Sequence, residues 1–541
     1  MVAPEPGAVG APLSFGTRVF FEIMTKYRGV MMVGIVIPIS FVADFYSGMR
    51  DWIFRKFLMT PKEHDRRVRD VQAQVLAWNA ADLRGKKLMC TARAPWLSMS
   101  VRTATFKKDC AAIKCDLKDI IWVDKEREIV KLEPLCNMRC ITNHLVPLGY
   151  QLAIQIEMED LTIGGVCMGL GMETNSHIFG LIQETIEAFE IVTAEGTIMR
   201  VTKKSDPELF NVLPWSHGTL GFLVGIELKI IKIKPYMHVT YIPCHTQGQL
   251  EAQMKKLSEC AMKDRPSFLE ATIYSKDTSV VMVGEFVDVT TPAQKKKVNG
   301  INYFWKEWYY LHTERALTNG QFDEYIPIRH YHHRFTRSVF WELRDLVPFG
   351  NQAWYRYLFG WLGAPKIAFI KLTMSPQIRR EVVTKHVVQD AIMPMEKLKE
   401  TLDKCHELFE IYPLLFFPVA LFDHGKNEGF HRNPKKCLPG MDHQMFFDIG
   451  IYGVPERVRE EKEWPAVKNL RKFEEFVRKF SGYTLLYADV FMTRKEFRQM
   501  LNHTLYDKMR IKYKAVGAFP EVYDKVKPEK GLLDGLLPDD E

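Results

Sequence analysis

Hydrophobic and polar positions divide the chain into three regimes. From Gly29 to Ala43 the sequence reads GVMMVGIVIPISFVA, with no charge, bracketed by Arg28 and Asp44. A bilayer span needs about 20 apolar residues, with about 17 as the lower limit. The run reaches that limit when Phe45 and Tyr46 are included and Asp44 snorkels. Tyr27, Tyr46 and Trp52 stand where an interfacial aromatic belt would. A signal peptide fits poorly, because no small-residue cleavage site follows. The pattern therefore predicts a single N-terminal membrane anchor over about 29–46. Seven Lys and Arg lie between Arg50 and Arg69, against Arg18, Lys26 and Arg28 ahead of the run. By the positive-inside rule, this predicts a cytosolic body after a single pass.

Beyond the run, PKEHDRRVRDVQAQVLAW (61–78) sets Val68, Val71, Val75 and Trp78 at helical spacing. From about 86 to 235, short strands alternate with short helices. Strands are predicted over Ile129–Leu135 and Leu220–Lys232, a helix over Arg139–Leu148 closed by Gly149, and a hairpin over 186–202 turning at Ala194-Glu195-Gly196. A second α+β unit starts near 236, with a helix over Leu250–Met262 and a strand over Val280–Phe286. The fold class is α+β.

Composition changes this picture little. In 541 residues, 47% hydrophobic and 26% charged is ordinary globular usage and excludes a disordered or collagen-like chain. A net charge of +8 is too dilute for a nucleic-acid partner and fits membrane flanks or phosphorylated cofactors. The ten cysteines form no C-x-x-C, so neither a metal site nor a disulfide framework is predicted. Eighteen aromatics crowd residues 301–361. They read either as core packing or as the lining of a long apolar pocket open towards a membrane. Within them, FGNQAWYRYLFGWLG (349–363) carries only Arg356 as a charge and suits a membrane interface. Homo-oligomerisation stays open.

The densest chemical signal is DLTIGGVCMGLGMETNSHIFG (160–180). Four glycines in eight residues (Gly164, Gly165, Gly169, Gly171) need a reason, since glycine is costly in backbone entropy. They either let consecutive amides cradle an anion or form a tight turn between core elements. Thr174 occupies the third glycine position of a Rossmann fingerprint, so that motif is weak.

The surroundings are more specific. Thr162-Ile163-Gly164-Gly165 is followed by Glu190-Ile191-Val192-Thr193-Ala194-Glu195-Gly196, Glu208-Leu209-Phe210 and Gly218-Thr219-Leu220-Gly221. This order resembles the FAD-binding domain of the vanillyl-alcohol-oxidase (PCMH) superfamily. Thr91-Ala92-Arg93-Ala94-Pro95-Trp96, Glu133-Pro134-Leu135, Pro214-Trp215-Ser216, Glu324-Tyr325-Ile326-Pro327, Phe340-Trp341-Glu342, Leu486-Tyr487-Ala488-Asp489 and Phe519-Pro520-Glu521-Val522-Tyr523 narrow the resemblance to the sterol Δ24-reductase (diminuto) family, from about residue 27 almost to the C-terminus.

That resemblance implies a PCMH-type FAD domain, an α+β cap and substrate domain, and a single membrane helix. The expected boundaries are 1–57 for the anchor region, 58–235 for the FAD domain, 236–490 for the cap, and 491–541 for a segment returning to the FAD domain. It implies non-covalent FAD, NADPH as electron donor, a sterol side-chain alkene as substrate, and the endoplasmic reticulum membrane as location. The flavin segment maps onto Thr162, Ile163, Gly164, Gly165, Val166, Cys167, Met168, Gly169, Leu170, Gly171, Met172, Glu173 and Thr174, with Ser176, His177, Gly218 and Thr219 nearby. Arg93 and Trp96 belong to the counterpart of the pyrophosphate loop. The chain departs from the family at Arg139, where glycine is usual, and at Met374, where glutamine is usual. A covalent-flavin oxidase with His177 as tether, or a sterol-binding protein with a degenerate flavin site, are the alternatives.

Reducing an unactivated alkene requires a hydride, a proton from a positioned acid, and exclusion of water from the developing cation. Tyr325, His333 and Tyr487 are the proposed acids, chosen from a set that includes His330, Tyr331, His332 and Asp489. Arg329, Arg334 and Arg337 in the same stretch read as a patch for NADPH phosphates.

Overall fold

The computed structural model describes residues 28–57, 61–372, 374–529 and 532–533. Tyr27, Arg18 and Lys26 lie outside them, as does the end of the last segment.

Two antiparallel sheets organise the body. Strands β3 (Ile120–Asp124), β4 (Ile129–Leu132), β5 (Tyr150–Leu152), β6 (Ile186–Val192), β7 (Ile198–Val201) and β8 (Phe222–Lys232) form a six-stranded sheet in the order β3-β4-β8-β6-β7, with β5 also on β8. A short parallel pair, β1 (Met89–Thr91) and β2 (Ala111–Ile113), stands beside it. The predicted strand at 129–135 ends at Leu132, because Glu133 and Pro134 leave the ladder. The hairpin turns at Gly196, whose φ of +82° favours glycine. The helix at Met138–Leu145 continues as a 3₁₀ turn to Leu148 and stops at left-handed Gly149.

The second sheet has eight strands: β9 (Tyr236–Cys244), β10 (Phe268–Ile273), β11 (Ser279–Val287), β12 (Phe322–Pro327), β13 (Val387–Pro394), β14 (Leu414–Phe422), β15 (His443–Gly453) and β16 (Tyr483–Thr484). Their order is β12-β9-β11-β10-β14-β15-β13-β16. Alternation gives the sheet two faces. Leu414, Phe416, Phe447, Ile449 and Ile451 bury one face under the helices Gln247–Ser258, Leu398–Leu408 and Ala466–Lys479. Leu415, Phe417, Phe446, Tyr452 and Ile392 turn the other way, into the core shared with the six-stranded sheet. Helices at Arg494–Met500 and Thr504–Lys512 bring the last segment back to that first sheet, where Phe519 meets Phe222 edge-on and the amide of Met89 donates to the carbonyl of Ala518 at 2.7 Å.

The N-terminal apolar helix runs over Gly29–Arg50, with a π-turn at Met32–Val36 before the α-helix Ile37–Phe57. It lies along the body. Met32, Val36, Ile37 and Ser40 are buried, and the amide of Lys366 donates to Ser40 Oγ at 2.9 Å. Asp44 is gripped by Arg139 (2.9 Å) and Lys366 (2.5 Å). The bulky departure at 139 thus ties Asp44 of this helix to Glu159 (2.8 Å), just ahead of the glycine run, while Asn137 caps the helix at Met138–Leu145 by accepting from the amide of Cys140.

The aromatics of 301–361 split. Trp308, Tyr309, Tyr310, Tyr331, Phe335, Trp341 and Tyr355 are core, whereas Trp354, Tyr357, Phe359 and Trp361 are exposed on and beside the short helix Ala353–Phe359.

Candidate active site

The glycine run forms a short helix, Ile163–Met168, followed by an extended segment to Thr174. A Cβ at Gly164 would fall 2.5 Å from Pro134 Cβ, one at Gly169 2.8 Å from the carbonyl of Gly165, and one at Gly171 2.3 Å from Val166 Cγ1. Three of the four glycines therefore answer to the chain's own packing. Gly165 alone is exposed and open. Ile163, Val166, Cys167, Met168 and Met172 are core, while Leu170 is half-buried against them.

Around Gly169 wraps a strained turn. Trp215, His217 and Gly218 have φ of +65°, +50° and +72°. Left-handed non-glycine residues cost energy and concentrate at functional sites. The amides of Trp215 and His217 donate to the carbonyls of Gly169 and Met168. Yet Trp215 Nε1 and His217 Nε2 are buried with no hydrogen-bond partner among the described residues, as are Thr174 Oγ1, Asn175 Oδ1 and Gln155 Oε1. Burial holds the His217 imidazole well below its usual pKa, so it is neutral. Such a set of orphaned buried donors and acceptors is uncommon in a folded protein and fits a polar ring system with complementary edges.

Next to this turn stands a surplus of cations. Arg93 joins the two loops, donating to Thr162 Oγ1 (3.0 Å) and the carbonyl of Leu97 (2.9 Å). Lys107 Nζ donates to the carbonyls of Thr91 and Arg93. Lys371 Nζ donates to four carbonyls of the adjoining loop, those of Pro95, Ser98, Ser100 and Arg102, at 2.8–3.2 Å. Trp96 stacks on Phe369, two residues before that lysine. Lys525 donates to the carbonyl of His217, and Arg102 to that of Ala488. Burial depresses Arg102 to about 10 against the pull of Asp489 and Glu529, and burial with neighbouring cations depresses Lys371 and Lys525 to about 8. The nearby Asp489 and Glu529 are taken by Arg379. Cations that outnumber their carboxylates in a largely buried cluster call for an anion, and the pyrophosphate of a dinucleotide would supply one. The residues fit FAD.

Lys371→Met should free four carbonyls and loosen the loop. Charged hydrogen bonds contribute about 1.5–3 kcal/mol, so FAD should bind about 10- to 100-fold more weakly by titration of the apoprotein. Anion binding to the apoprotein should also fall as pH rises through about 8, where Lys371 and Lys525 lose their protons.

The run ends at the cap sheet. The amide of Leu269 on β10 donates to the carbonyl of Thr174 at 2.7 Å. Glu173 is paired with Arg334 at 2.8 Å, and Arg334 with Glu270 of β10 at 2.8 Å, all fully buried. Three carboxyls (Glu157, Glu173, Glu270) surround one guanidinium. Arg334 stays charged, and burial pushes Glu157 and Glu173 up. On the same face of the sheet lie Asp390, Asp448 and Tyr452. Tyr452 donates to both oxygens of Asp390 (2.7 and 2.8 Å), and the Tyr487 hydroxyl reaches Tyr452 at 3.2 Å.

The sequence-predicted residues thus separate. Tyr487 follows β16 and is half-buried at this inner face. Tyr325 is on β12, the opposite edge of the eight-stranded sheet, stacked on His238. Strand β15, whose Tyr452 the Tyr487 hydroxyl touches, is five strand spacings from β12, about 24 Å. His333 has both ring nitrogens occupied, by the carbonyl of Glu157 (2.9 Å) and Thr142 Oγ1 (3.0 Å), and burial lowers its pKa. It is a neutral strut. His177 hydrogen-bonds the carbonyl of Pro266 at 2.8 Å, is held at about 4 by burial, and ties the run to the cap. Ser176 Oγ accepts from the amide of Glu173, Gly218 completes the strained turn, and Thr219 is tied to Tyr506 at 2.6 Å. The expected phosphate patch is not one. Arg334 is the buried ion-pair centre, Arg337 is spent on the carbonyls of Ile301, Phe304, Lys306 and Glu307, and Arg329 is paired with Asn143 and Glu159. Arg102, Lys107, Lys371, Lys525 and His217 have no motif of their own.

Fold and site together define a flavin-dependent oxidoreductase of the FAD-binding PCMH type. Residues 66–202 match the family model described as FAD binding domain. The chain is 39% identical to the Delta(24)-sterol reductase of Homo sapiens over 505 residues, covering 93% of this chain and 94% of the relative, and 40% identical to that of Macaca fascicularis over the same shares. The Delta(24)-sterol reductase of Arabidopsis thaliana is 35% identical across 94% and 93%. The chain belongs to the Delta(24)-sterol reductase family.

Proposed function

We propose that this protein reduces the Δ24 double bond of a sterol side chain, using FAD and electrons from NADPH. The observation that carries this reading is the end-to-end match to Delta(24)-sterol reductases across both the FAD domain and the cap. The oxidase reading has no comparable support: mouse L-gulonolactone oxidase is 22% identical over 77% of the chain. The Arg93, Arg102, Lys107, Lys371 and Lys525 cluster and the His217 turn would hold FAD non-covalently, and the group would supply hydride chemistry there. The protein's share is to orient the side chain, keep water out, and deliver a proton. Tyr487 takes the proton-donor role, because it alone of the three proposed acids reaches the inner face of the cap.

The location we propose is the cytosolic face of the endoplasmic reticulum membrane. The apolar helix is held along the body by Asp44 and Ser40, while Val30, Ile39, Val42, Phe45 and Tyr46 face outwards. Phe41 meets Trp361 edge-on at 5.4 Å, so this face is continuous with Trp354, Tyr357 and Leu358. Arg356, the sole charge in that stretch, turns inwards to the carbonyl of Trp305. A span perpendicular to the membrane would break the Asp44 pairs. The packing favours a helix lying in one leaflet, in place of the single pass expected from hydropathy.

The function is tested by incubating the detergent-solubilised holoprotein with NADPH and desmosterol and reading sterol mass. A gain of two hydrogens is expected, with the yellow colour left in the supernatant after acid precipitation. Unchanged sterol in FAD-loaded protein that NADPH bleaches would overturn the substrate assignment. A glycosylation acceptor placed within residues 2–12 should stay unmodified in microsomes; its modification would restore the single pass.

A further inference from the structure

We propose that Asp390 and Tyr452 form a proton relay behind Tyr487, recharging it after each turnover. This rests on the reading of Tyr487 as the proton donor to the sterol alkene.

The relay is built into the register of the sheet. Asp390 on β13 pairs with Gly450 on β15, and Val388 with Tyr452, so Asp390 and Tyr452 share the inner face. A Cβ at 450 would lie 2.6 Å from Asp390 Oδ1 and 2.8 Å from Tyr452 Oη. Only glycine there leaves room for a phenol and a carboxyl to lie side by side. The three oxygens, Asp390 carboxyl, Tyr452 hydroxyl and Tyr487 hydroxyl, follow one another at 2.7 and 3.2 Å. Of these residues, Tyr487 alone is half-exposed. Asp390 and Tyr452 are buried, as proton storage away from bulk water requires.

The groups facing Asp390 keep its proton on. Asp448, two residues from Gly450 on the same strand face, is a second buried carboxyl, and its Oδ1 has no hydrogen-bond partner among the described residues. Glu157, from the loop before the glycine run, presents a third. The nearest guanidinium of this cluster, Arg334, is spent on Glu173 and Glu270. Burial raises Asp390 to about 8, and burial with these neighbours pushes Asp448 higher than its ordinary value. A protonated Asp390 reverses the chain of donors. Its O–H then donates to Tyr452, Tyr452 donates to Tyr487, and the Tyr487 proton is free for a ligand.

The step balances. The Tyr487 O–H bond breaks and a C–H bond forms from the alkene π pair, leaving an adjacent cationic carbon for the hydride that the NADPH-reduced flavin would supply. Tyr487 oxygen regains a proton from Tyr452 and Tyr452 from Asp390; once product leaves, a solvent proton returns to the Asp390 carboxylate along the same chain, entering at half-exposed Tyr487. No further oxidant or reductant is needed.

Asp390→Asn and Tyr452→Phe holoenzymes test this, each with two half-reactions measured. NADPH bleaching of the flavin should match the parent, which certifies fold and cofactor. Sterol reduction should fall about 10- to 100-fold, and the fall in parental turnover above pH about 8 should vanish in Asp390→Asn. Infrared difference spectra at pH 7 should show a protonated-carboxyl stretch in the parent that Asp390→Asn lacks. A parental rate and pH profile in Asp390→Asn would overturn the relay, as would the absence of that stretch. Loss of flavin bleaching in both variants would make the pair structural and also overturn it. A parent that leaves sterol unchanged would fail the Δ24 reading instead, so the two failures are distinguishable.

Discussion

Replacing Tyr487 by Phe leaves the flavin reducible by NADPH and lowers sterol reduction about 10²- to 10⁴-fold, the range for losing a positioned general acid. The phenyl ring fills the same volume against the core, so folding should be intact. What is removed is one oxygen at the end of the chain Asp390–Tyr452–Tyr487. Stopped-flow absorbance of the flavin separates the halves of the cycle: reduction should run at the parental rate and reoxidation by sterol should stall. If reoxidation proceeds at the parental rate, the proton comes from elsewhere. Tyr325→Phe serves as the contrast. Its ring is at the far edge of the sheet, stacked on His238, and its loss should change turnover less than about twofold.

Arg334→Leu should cost about 3–5 kcal/mol of stability and strip the flavin. The guanidinium, 2% exposed, bridges Glu173 of the FAD domain to Glu270 of the cap and lies 4.8 and 4.9 Å from the rings of Tyr331 and Phe335. Without it, three buried carboxyls face one another with no counter-charge, and burial already pushes Glu157 and Glu173 towards their protonated forms. Thermal unfolding of the holoprotein should show a large drop in midpoint. Adding Glu173→Gln to the variant should recover part of the loss, because one of those carboxyls then needs no proton. An unchanged midpoint would mean that the bridge contributes nothing beyond its packing.

How far this site was readable follows from where its parts come from. Thr162 to Thr174, the 186–202 hairpin and the Gly218-Thr219 turn are contiguous motifs, and the sequence order marks them. The meaning of the glycines was not readable, because Pro134 and Ile182, which crowd Gly164 and Gly171, approach only in three dimensions. Lys371 and Lys525 are single lysines far from the loop they serve; only the fold converts them into a cation cluster. The Asp390–Tyr452 pair depends on a strand register set between residues 60 positions apart, which hydrophobic alternation does not specify uniquely. The histidines around 330 misled for the opposite reason. Their clustering looks chemical, but His333 is consumed by Glu157 and Thr142. Arg139 likewise looked like an intruder at the flavin until its partner Asp44 was placed.

On the proposed seating, the outward face shared by Phe41 and Trp361 sets which concentration the enzyme would sense. A protein seated there meets its sterol in two dimensions, and so its rate follows the mole fraction of sterol in the surrounding lipid, not the amount per volume of water. Adding inert detergent or lipid at fixed total sterol should then slow turnover in proportion to the dilution of the surface. A membrane rich in unreduced sterol would be processed fastest where that sterol accumulates.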